Sequence, residues 1–425
     1  MDFERFLNIL HQEVRPATGC TEPIAVAYAA ARARRALGDI PLKIEVTASA
    51  NIIKNAMGVH IPGTDEMGVQ IAAAMGVTGG RDEQGLNVLD GITAEQVEEA
   101  RRMVSEGKIL LTMANTEEKL YIRVRCVGAS DWSEVLSSGS HTGIVYVMRN
   151  DSIVWKAENC QDSEGSDQKG YHLTLEDILN FVIACPIDKL LFLEEGIQMN
   201  WTMAQRGLSE GAGLAVGKTL YNAYDLEHNA QDIYNYACAL AAAAADARMA
   251  GLSLPVMSTA GSGNHGITAT VPVTAMAERM GCSQEKLLRA IALSDLVTVL
   301  VKESIGKLSS MCGCGIGASI GACCGMLYLQ DETIDEMYAA ARNIVADVSG
   351  IVCDGAKEGC ALKIATAVSS AGKCAMLAQH NRSVGRNNGI VATRFDETIR
   401  NLGVLVHQGM NNTDDVILNI MMRNS

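Results

Sequence analysis

The 425-residue sequence has few aromatic residues and few prolines: 4% of it is Phe, Trp or Tyr, and it contains 7 prolines. It also lacks any block of Lys and Arg, and its formal net charge is −14. Such a charge is unsuited to a surface that follows nucleic-acid phosphates, so we exclude nucleic acid as a partner. The acidic balance indicates a soluble protein.

Signals for export or membrane insertion are also missing. The N-terminus lacks the basic start and the apolar run of a signal peptide. No stretch reaches about 18 uninterrupted apolar residues, and the nearest, residues 236–251, is interrupted by Asp246 and Arg248. We therefore expect a cytoplasmic protein with no membrane partner. Because cytosolic thiols stay reduced, the 13 cysteines are not expected to form disulfides, and a metal site is the obvious alternative.

The chain changes character twice. Its start predicts two helices around a break, with Thr21 as N-cap and Pro23 in the first turn of the second helix. Apolar alternation then predicts strands, followed by helical periodicity to the end. We expect an α+β fold with a mainly helical catalytic domain, residues 1–36 plus 167–425, and a smaller α/β domain, residues 37–166. The predicted strands are LKIEVTAS, KILLTMA, LYIRVRCVG and GIVYVMRN.

Three groups of cysteines lie in the helical part. On one straight helix, Cys353 and Cys360 would be about 10 Å apart along the axis, too far for one compact metal centre. The glycines between them, Gly355 and Gly359, favour a loop that could turn both sulfurs inward. The groups are Cys312 with Cys314, Cys323 with Cys324, and Cys353 with Cys360.

Two of these groups form a candidate metal site. Residues two apart rarely converge on one metal, so we expect only one of Cys312 and Cys314 to be a ligand. With Cys353 and Cys360 that makes three thiolates, which suit a [4Fe–4S] cluster with one iron open to act as a Lewis acid. The alternatives are buried thiols beside helix breaks, or a zinc site. Zinc normally has four ligands, and no C-x-x-C pair is present.

The strongest loop signal is MSTAGSGNHGITATVP, residues 257–272. Successive backbone N–H groups in such a loop can form an anion-binding concavity. Hydroxyl donors from Ser258, Thr259 and Ser262 would assist them, and a carboxylate is the expected ligand. The alternative is a helix-breaking turn packed closely against its neighbour.

Other polar residues are candidates for the same pocket. Cys20 precedes a predicted helix, whose N-terminus would favour a thiolate able to act as general base; the alternative is a buried, inert cysteine. Ser49, Asn51 and Lys54 follow a predicted strand, where polar residues often face a pocket but equally serve as caps. His141 lies in an SGSHTG loop, where a lone histidine is often structural.

Six motifs in order, TGCTEP, SANIIKN with VHIPGT, ADARMAG, MSTAGSGNHGI, LSSMCGC and CDGAKEGC, resemble the L-cysteine desulfidase family. The helical part resembles, more distantly, the α-domain of iron–sulfur L-serine dehydratases. The resemblance implies an oxygen-sensitive [4Fe–4S] cluster, with Cys353 and Cys360 matching two ligands. The dehydratase pattern S-x-G-C-Q-G-E-V-G puts the third ligand on Cys312, with Cys314 as the alternative, and Cys20 matches the proposed proton acceptor.

The resemblance also implies a substrate and a reaction. The STAGSG segment, with Ser258, Thr259, Gly261, Ser262 and the following Asn264, is similar to a dehydratase loop thought to hold the substrate carboxylate. The implied activity is a carbon–sulfur lyase that converts L-cysteine to pyruvate, ammonia and sulfide by α,β-elimination. The alternatives are an L-serine dehydratase of the same mechanism and a non-catalytic, metal-dependent amino-acid-binding protein. No clear pyridoxal lysine motif appears, and we expect a homodimer.

Overall fold

The computed structural model describes residues 3–19, 21–61, 64–157, 170–306, 308–385 and 388–424. Helices α1 to α16 are Phe3–Glu13, Thr21–Leu37, Ala50–Ala56, Val69–Thr78, Ala94–Ser105, Leu175–Ala184, Leu193–Glu210, Val216–Ala223, Ile233–Met249, Gly263–Met280, Gln284–Ile305, Ser319–Leu329, Ile334–Val348, Cys360–Gln379, Phe395–Val404 and Thr413–Asn424. Strands β1 to β8 are Val14–Thr18, Lys43–Ala48, Ile109–Met113, Tyr121–Val127, Trp132–Ser138, Ile144–Arg149, Ser152–Lys156 and Pro255–Thr259. With 59% helix and 13% strand, the fold class is α+β, as predicted.

The chain forms two compact units. The helical unit contains Met1–Ala17, Asp167–Cys353 and Glu358–Asn411. The sheet unit contains the remainder, Thr18–Ser166, Asp354–Lys357 and Asn412–Ser425. Helices α2 and α16 therefore belong to the sheet unit, whereas the predicted boundary placed both with the helical part.

The sheet unit is built on six strands in the order β3-β2-β4-β5-β6-β7. Strands β2 and β3 are parallel, and the other neighbouring pairs are antiparallel. Val46, Val124, Val135 and Val147 lie opposite one another across four strands, and all four are buried. Because side chains alternate between the faces of a sheet, this row marks the face that is packed against helices.

Helix α2 covers that face, which explains why it belongs to the sheet unit. It is rich in alanine, packs on β4 and β5, and buries most of its residues. Small side chains let it approach α4 closely: a Cβ on Gly76 would overlap the backbone of Ala27. Pro23 lies in the first turn of α2, as predicted.

The helical unit is organised around α9, which packs against α7, α8, α10 and α14. Thirteen consecutive residues of α9, Ala237–Met249, are buried, and most of them are alanine. Gly207 of α7 and Gly217 of α8 both lie against the backbone at Ala243, so neither position has room for a Cβ. Close packing of small residues, rather than large aromatic side chains, therefore fills this core.

One helix of this unit, α14, is long and apolar enough to cross a membrane by length and composition alone. However, 56% of its apolar window is buried inside the protein, which is the pattern of a core helix.

The strand prediction was incomplete. The four predicted segments form β2, β3, β4 and β6, but β5 and β7 of the same sheet were missed. Strand β5, WSEVLSS, alternates in burial, but its buried face includes Ser133 and Ser137, which weakens the apolar signal. The break after α1 is also a strand, β1, which pairs with β8.

Candidate active site

Strand β8 ends in a tight turn, residues 259–262. Thr259 and Ser262 exchange two backbone hydrogen bonds, each 3.2 Å long. Ala260 and Gly261 between them have φ angles of +49° and +77°, the signs that a type I′ turn requires. A positive φ is costly for alanine. The turn therefore keeps this shape only because hydrogen bonds to neighbouring segments hold it. One of these bonds joins the Ala260 N–H to the Glu13 carbonyl at 3.0 Å.

Helix α10 begins directly after this turn. Ser262 is its N-cap, and in the described part of the chain the Ser262 side chain makes no capping bond. The first helical hydrogen bond runs from the Gly266 N–H to the Ser262 carbonyl, so the N–H groups of Gly263, Asn264 and His265 have no acceptor within the helix. These groups and the helix dipole attract an anion. The helix start therefore suits a carboxylate.

The two cysteine segments lie side by side. The Cys312 N–H donates to the Ile351 carbonyl at 2.8 Å, and the Cys353 N–H donates to the Ser310 carbonyl at 2.7 Å. Just after Cys312 the chain forms a π-helical turn, Cys314–Ala318. Such turns in helices are frequent at functional sites.

Cys353 and Cys360 are separated by a loop rather than lying on one straight helix, as predicted. Cys360 is the first residue of α14. The positive end of a helix dipole stabilises a thiolate at this position.

The four cysteines influence one another electrostatically. The hydrogen bond between the two side chains lowers the pKa of Cys312 and raises that of Cys314. Charges on Cys360 and Cys353 raise the pKa of Cys314 further. The two segments therefore bring their thiols into one neighbourhood.

His265 joins the turn to the cysteine segment. A Cβ on Gly313, between Cys312 and Cys314, would overlap Nε2 of His265 and lie 2.9 Å from Nζ of Lys302. Lys302 comes from α11 and is 2% exposed. The start of α10, a buried lysine and the cysteine segment therefore meet within the helical unit.

The imidazole of His265 is neutral near pH 7. Burial lowers its pKa well below the ordinary value, and the charge of Lys302 lowers it further. Hydrogen bonding between the ring and the backbone of Thr259 and Ala260 acts in the opposite direction. A neutral imidazole can bind a polar group through a ring nitrogen.

A buried carboxyl group supports the turn from α11. The Thr259 hydroxyl donates to Oδ1 of Asp295 at 2.7 Å, and both residues are 0% exposed. Oδ2 of Asp295 has no hydrogen-bond partner among the described residues. Burial raises the pKa of Asp295 to about 7, against the smaller opposing effect of the Thr259 bond.

The sequence was compared with known proteins. Residues 83–419 match the family model described as serine dehydratase alpha chain. The chain belongs to this family. It is 40% identical to a UPF0597 protein of Bacteroides fragilis over 421 residues, which are 98% of this chain and 97% of that protein. It is also 41% identical to a UPF0597 protein of Oleidesulfovibrio alaskensis over 421 residues, 99% of this chain and 98% of that one.

For this member of the serine dehydratase alpha chain family, we tested whether the residues fit a metal centre. In the described ranges, no group of three or more His, Cys, Asp or Glu side chains could hold a single metal ion. A four-iron cluster makes a different demand, because its thiolates bind separate irons and need not converge on one point. Thiols from two adjacent segments, with the charge of Lys363 acting on Cys312, are compatible with that demand.

Most side chains predicted to bind substrate in the 258–264 loop are engaged within the protein. The Ser258 hydroxyl donates to the Arg15 carbonyl at 2.6 Å, and Thr259 is bound to Asp295. Oδ1 of Asn264 accepts from Arg248 at 2.9 Å. These residues therefore hold the loop in shape.

Two of the predicted loop residues remain accessible. Gly261 is exposed, and Ser262 is partly exposed at the helix start. The three residues whose N–H groups begin α10, Gly263, Asn264 and His265, are buried.

The predicted residues at the end of β2 lie in the sheet unit. Ser49 is the N-cap of α3, accepting from the Ile52 N–H. Nζ of Lys54 lies 2.5 Å from Oδ1 of Asp414, and Nδ2 of Asn51 donates to Oδ2 of the same carboxylate at 3.2 Å. The Asp414 carboxylate of α16 therefore binds Lys54 and Asn51, two side chains that were predicted to bind a ligand.

His141 lies in the sheet unit as well. Its Nε2 is 3.9 Å from Oε1 of Glu22 and makes no hydrogen bond to any described residue. Glu22 also accepts from Asn55 at 3.3 Å. The predicted proton acceptor, Cys20, lies outside the described residues.

Three residues near the turn and the cysteines were missed as site residues: His265, Lys302 and Asp295. A signal for two of them was present in the sequence. Asp295 and Lys302 lie seven residues apart in the apolar stretch of α11, and that spacing puts both on one face of a helix. Two charged residues on one face of a buried helix indicate a polar site rather than core packing.

Proposed function

We propose that this protein is a lyase that removes the β-substituent of a small amino acid, with L-cysteine as substrate and pyruvate, ammonia and sulfide as products. One observation carries the proposal: His265 bridges the anion-binding start of α10 and the cysteine segment. A substrate carboxylate and a substrate β-substituent have to be held a few ångströms apart. The start of α10 suits the carboxylate, and the cysteine segment suits the β-substituent.

The substrate carboxylate would bind at the start of α10. The N–H groups of Gly263, Asn264 and His265 would donate to it, and Ser262 can add a hydroxyl donor. The shape of the turn keeps these donors in place before substrate arrives, which reduces the ordering cost of binding.

The cluster would be held by Cys312, Cys353 and Cys360, with Cys314 donating a hydrogen bond to Cys312. When bound, an open iron of such a cluster supplies Lewis-acid assistance to the departing β-substituent. Lys302 would balance the negative charge of the thiolates from its buried position.

The reaction begins with removal of the α-proton. By resemblance, the proton acceptor is Cys20. Loss of the α-proton and of the sulfur as hydrosulfide (HS⁻), which together make one hydrogen sulfide, leaves aminoacrylate. Aminoacrylate tautomerises to an imine and reacts with water to give pyruvate and ammonia. His265, which is neutral near pH 7, would contact a substrate group beside the cysteine segment.

L-serine is the second candidate substrate, because the matching family model is described as serine dehydratase. It would lose water instead of hydrogen sulfide at the same site. The two candidates differ only in the leaving group, so the carboxylate site and the proton acceptor serve either one.

An anaerobic assay of the cluster-reconstituted protein separates these proposals. With L-cysteine, we expect sulfide and pyruvate in equal amounts, and at a higher kcat/KM than pyruvate formation from L-serine. Faster turnover of L-serine would assign the protein as a dehydratase. Binding of either amino acid without pyruvate release, at full iron and sulfide content, would overturn the lyase proposal in favour of a binding protein.

A further inference from the structure

The four consecutive residues 257–260, which lead into the turn and begin it, each form hydrogen bonds to a different segment of the chain. Asn200 of α7 holds the backbone of Met257 through two bonds, of 2.9 and 3.1 Å. As described above, Ser258 is tied to β1, Thr259 to α11, and Ala260 to the end of α1. Of these four ties, only the one from Thr259 ends on an ionisable side chain, Asp295.

We infer that Asp295 is a positioning residue, which fixes Thr259 and so holds the 259–262 turn in the shape that presents the start of α10 to the substrate carboxylate. The inference rests on the proposed function and assigns a role that neither sequence motifs nor family membership gave to α11. Asp295 itself does not touch the substrate position, since it is fully buried behind Thr259.

The geometry explains why this tie matters more than a single hydrogen bond usually does. Thr259 is the residue at which β8 ends and the turn begins, and its backbone closes the turn onto Ser262. The next residue, Ala260, is held at an unfavourable positive φ. Freeing the Thr259 side chain removes one of the anchors that hold this strained turn, so the turn can relax and move the α10 N–H groups.

The oxygen of Asp295 that has no hydrogen-bond partner among the described residues indicates the protonation state of the carboxyl group. An ionised carboxylate with one oxygen unbonded in a fully buried position would be very costly. Burial accordingly raises the pKa of Asp295. As a carboxylic acid the group keeps its bond to Thr259, and an amide of the same shape can make that bond as well.

Binding of L-alanine to the cluster-reconstituted protein tests this inference. L-Alanine has the α-carboxylate and amino group but no leaving group, so its binding does not depend on elimination. We expect Asp295→Ala to raise the Kd for L-alanine about tenfold, equivalent to one well-placed hydrogen bond. We expect Asp295→Asn to stay within about threefold of the unaltered protein.

Three further variants guard against an effect of unfolding alone. Thr259→Val removes the hydroxyl from the other end of the bond with little change of shape and should weaken binding as Asp295→Ala does. The double variant should bind no more weakly than either single one, because both remove the same bond. Ser294→Ala, at the residue before Asp295 in α11, is the matched control and should bind L-alanine normally. It removes a buried hydrogen bond from Ser294 to the Ala269 carbonyl in the middle of α10.

The outcomes separate this inference from the proposed function. Asp295→Ala with an unchanged Kd for L-alanine, or additive effects in the double variant, would overturn the positioning role even if L-cysteine is turned over. Conversely, dependence of L-alanine binding on Asp295 in a protein that releases no pyruvate would support the positioning role and reject the lyase.

Discussion

A Cβ on Gly313 would lie 2.2 Å from Nε2 of His265, so no side chain fits between the two residues. His265 belongs to the first turn of α10, and Gly313 lies between the two neighbouring cysteines, Cys312 and Cys314. This contact sets how near the carboxylate end of the site comes to the cysteine end. The predictions below begin with it.

Gly313→Ala should displace His265 and the cysteine segment relative to each other. Overpacking of this kind costs about 1–3 kcal/mol of folding free energy, and we expect at least a tenfold loss of kcat/KM, measured anaerobically with L-cysteine. Gly350→Ala is the matched control, since a Cβ there meets nothing within 4 Å. Equal activity of the Gly313 variant and the control would mean that the contact does not shape the site.

Cys353→Ala should remove a cluster ligand. We expect the variant to bind less iron and sulfide after anaerobic reconstitution and to lose the visible absorption of a cluster. Cys324→Ala is the control, because Cys324 is a fully buried thiol in α12 whose pKa burial raises to about 12. Unchanged iron and sulfide in Cys353→Ala would contradict the cluster assignment.

Lys302→Met should raise the pKa of His265. Burial is the larger cause of the low pKa of this imidazole, but the Lys302 charge contributes in the same direction. Removing that charge makes protonation easier, so the titration of His265, followed by NMR of its ring nitrogens, should move to higher pH. Lys286→Met on the same helix, which removes an ion pair with Asp331, should leave it in place.

Asp295→Asn should change how stability depends on pH. The carboxyl has a pKa near 3.8 when unfolded and about 7 when folded. Below about pH 4 both states are protonated, and burial of the carboxyl carries no ionisation cost. As the pH rises to about 7, only the unfolded state loses the proton, so stability falls by about 1.4 kcal/mol per pH unit and then levels off.

The amide cannot ionise and therefore avoids this loss. In denaturant unfolding, the stability of Asp295→Asn relative to the unaltered protein should rise by about 3 kcal/mol between pH 5 and pH 8. A difference that stays constant over this range would show that Asp295 does not change protonation on folding.

Asp414→Ala should destabilise the sheet unit. Lys54 is 1% exposed and lies 2.5 Å from Asp414, so the change removes a counter-charge from a buried ammonium group. Breaking such a pair from one side costs about 3–5 kcal/mol when both groups are buried, and somewhat less for the partly exposed Asp414. The exposed neighbour Asp415→Ala is the control, and equal unfolding midpoints of the two variants would contradict the prediction.

The strands could be predicted where apolar and polar residues alternate regularly along the sequence. Strands β2 and β4 alternate between apolar and polar residues, and both were predicted. Strand β5 was missed because Ser133 takes a buried position that usually holds an apolar residue. The structure supplies the reason: the Ser133 hydroxyl donates to the Ala33 carbonyl at 2.6 Å, a bond to α2 that spans 100 residues of chain.

The candidate site, too, could be predicted in part from the sequence. By itself, the sequence determined the glycine loop at a helix start, the grouping of the cysteines and the loop between Cys353 and Cys360, because each depends on neighbours in the chain. Tertiary structure alone decided which partner each polar group takes. Thr259 binds Asp295 across 36 residues, and Lys54 binds Asp414 across 360. Such pairs form only when packing of the helices brings distant segments together, and no local pattern specifies that packing.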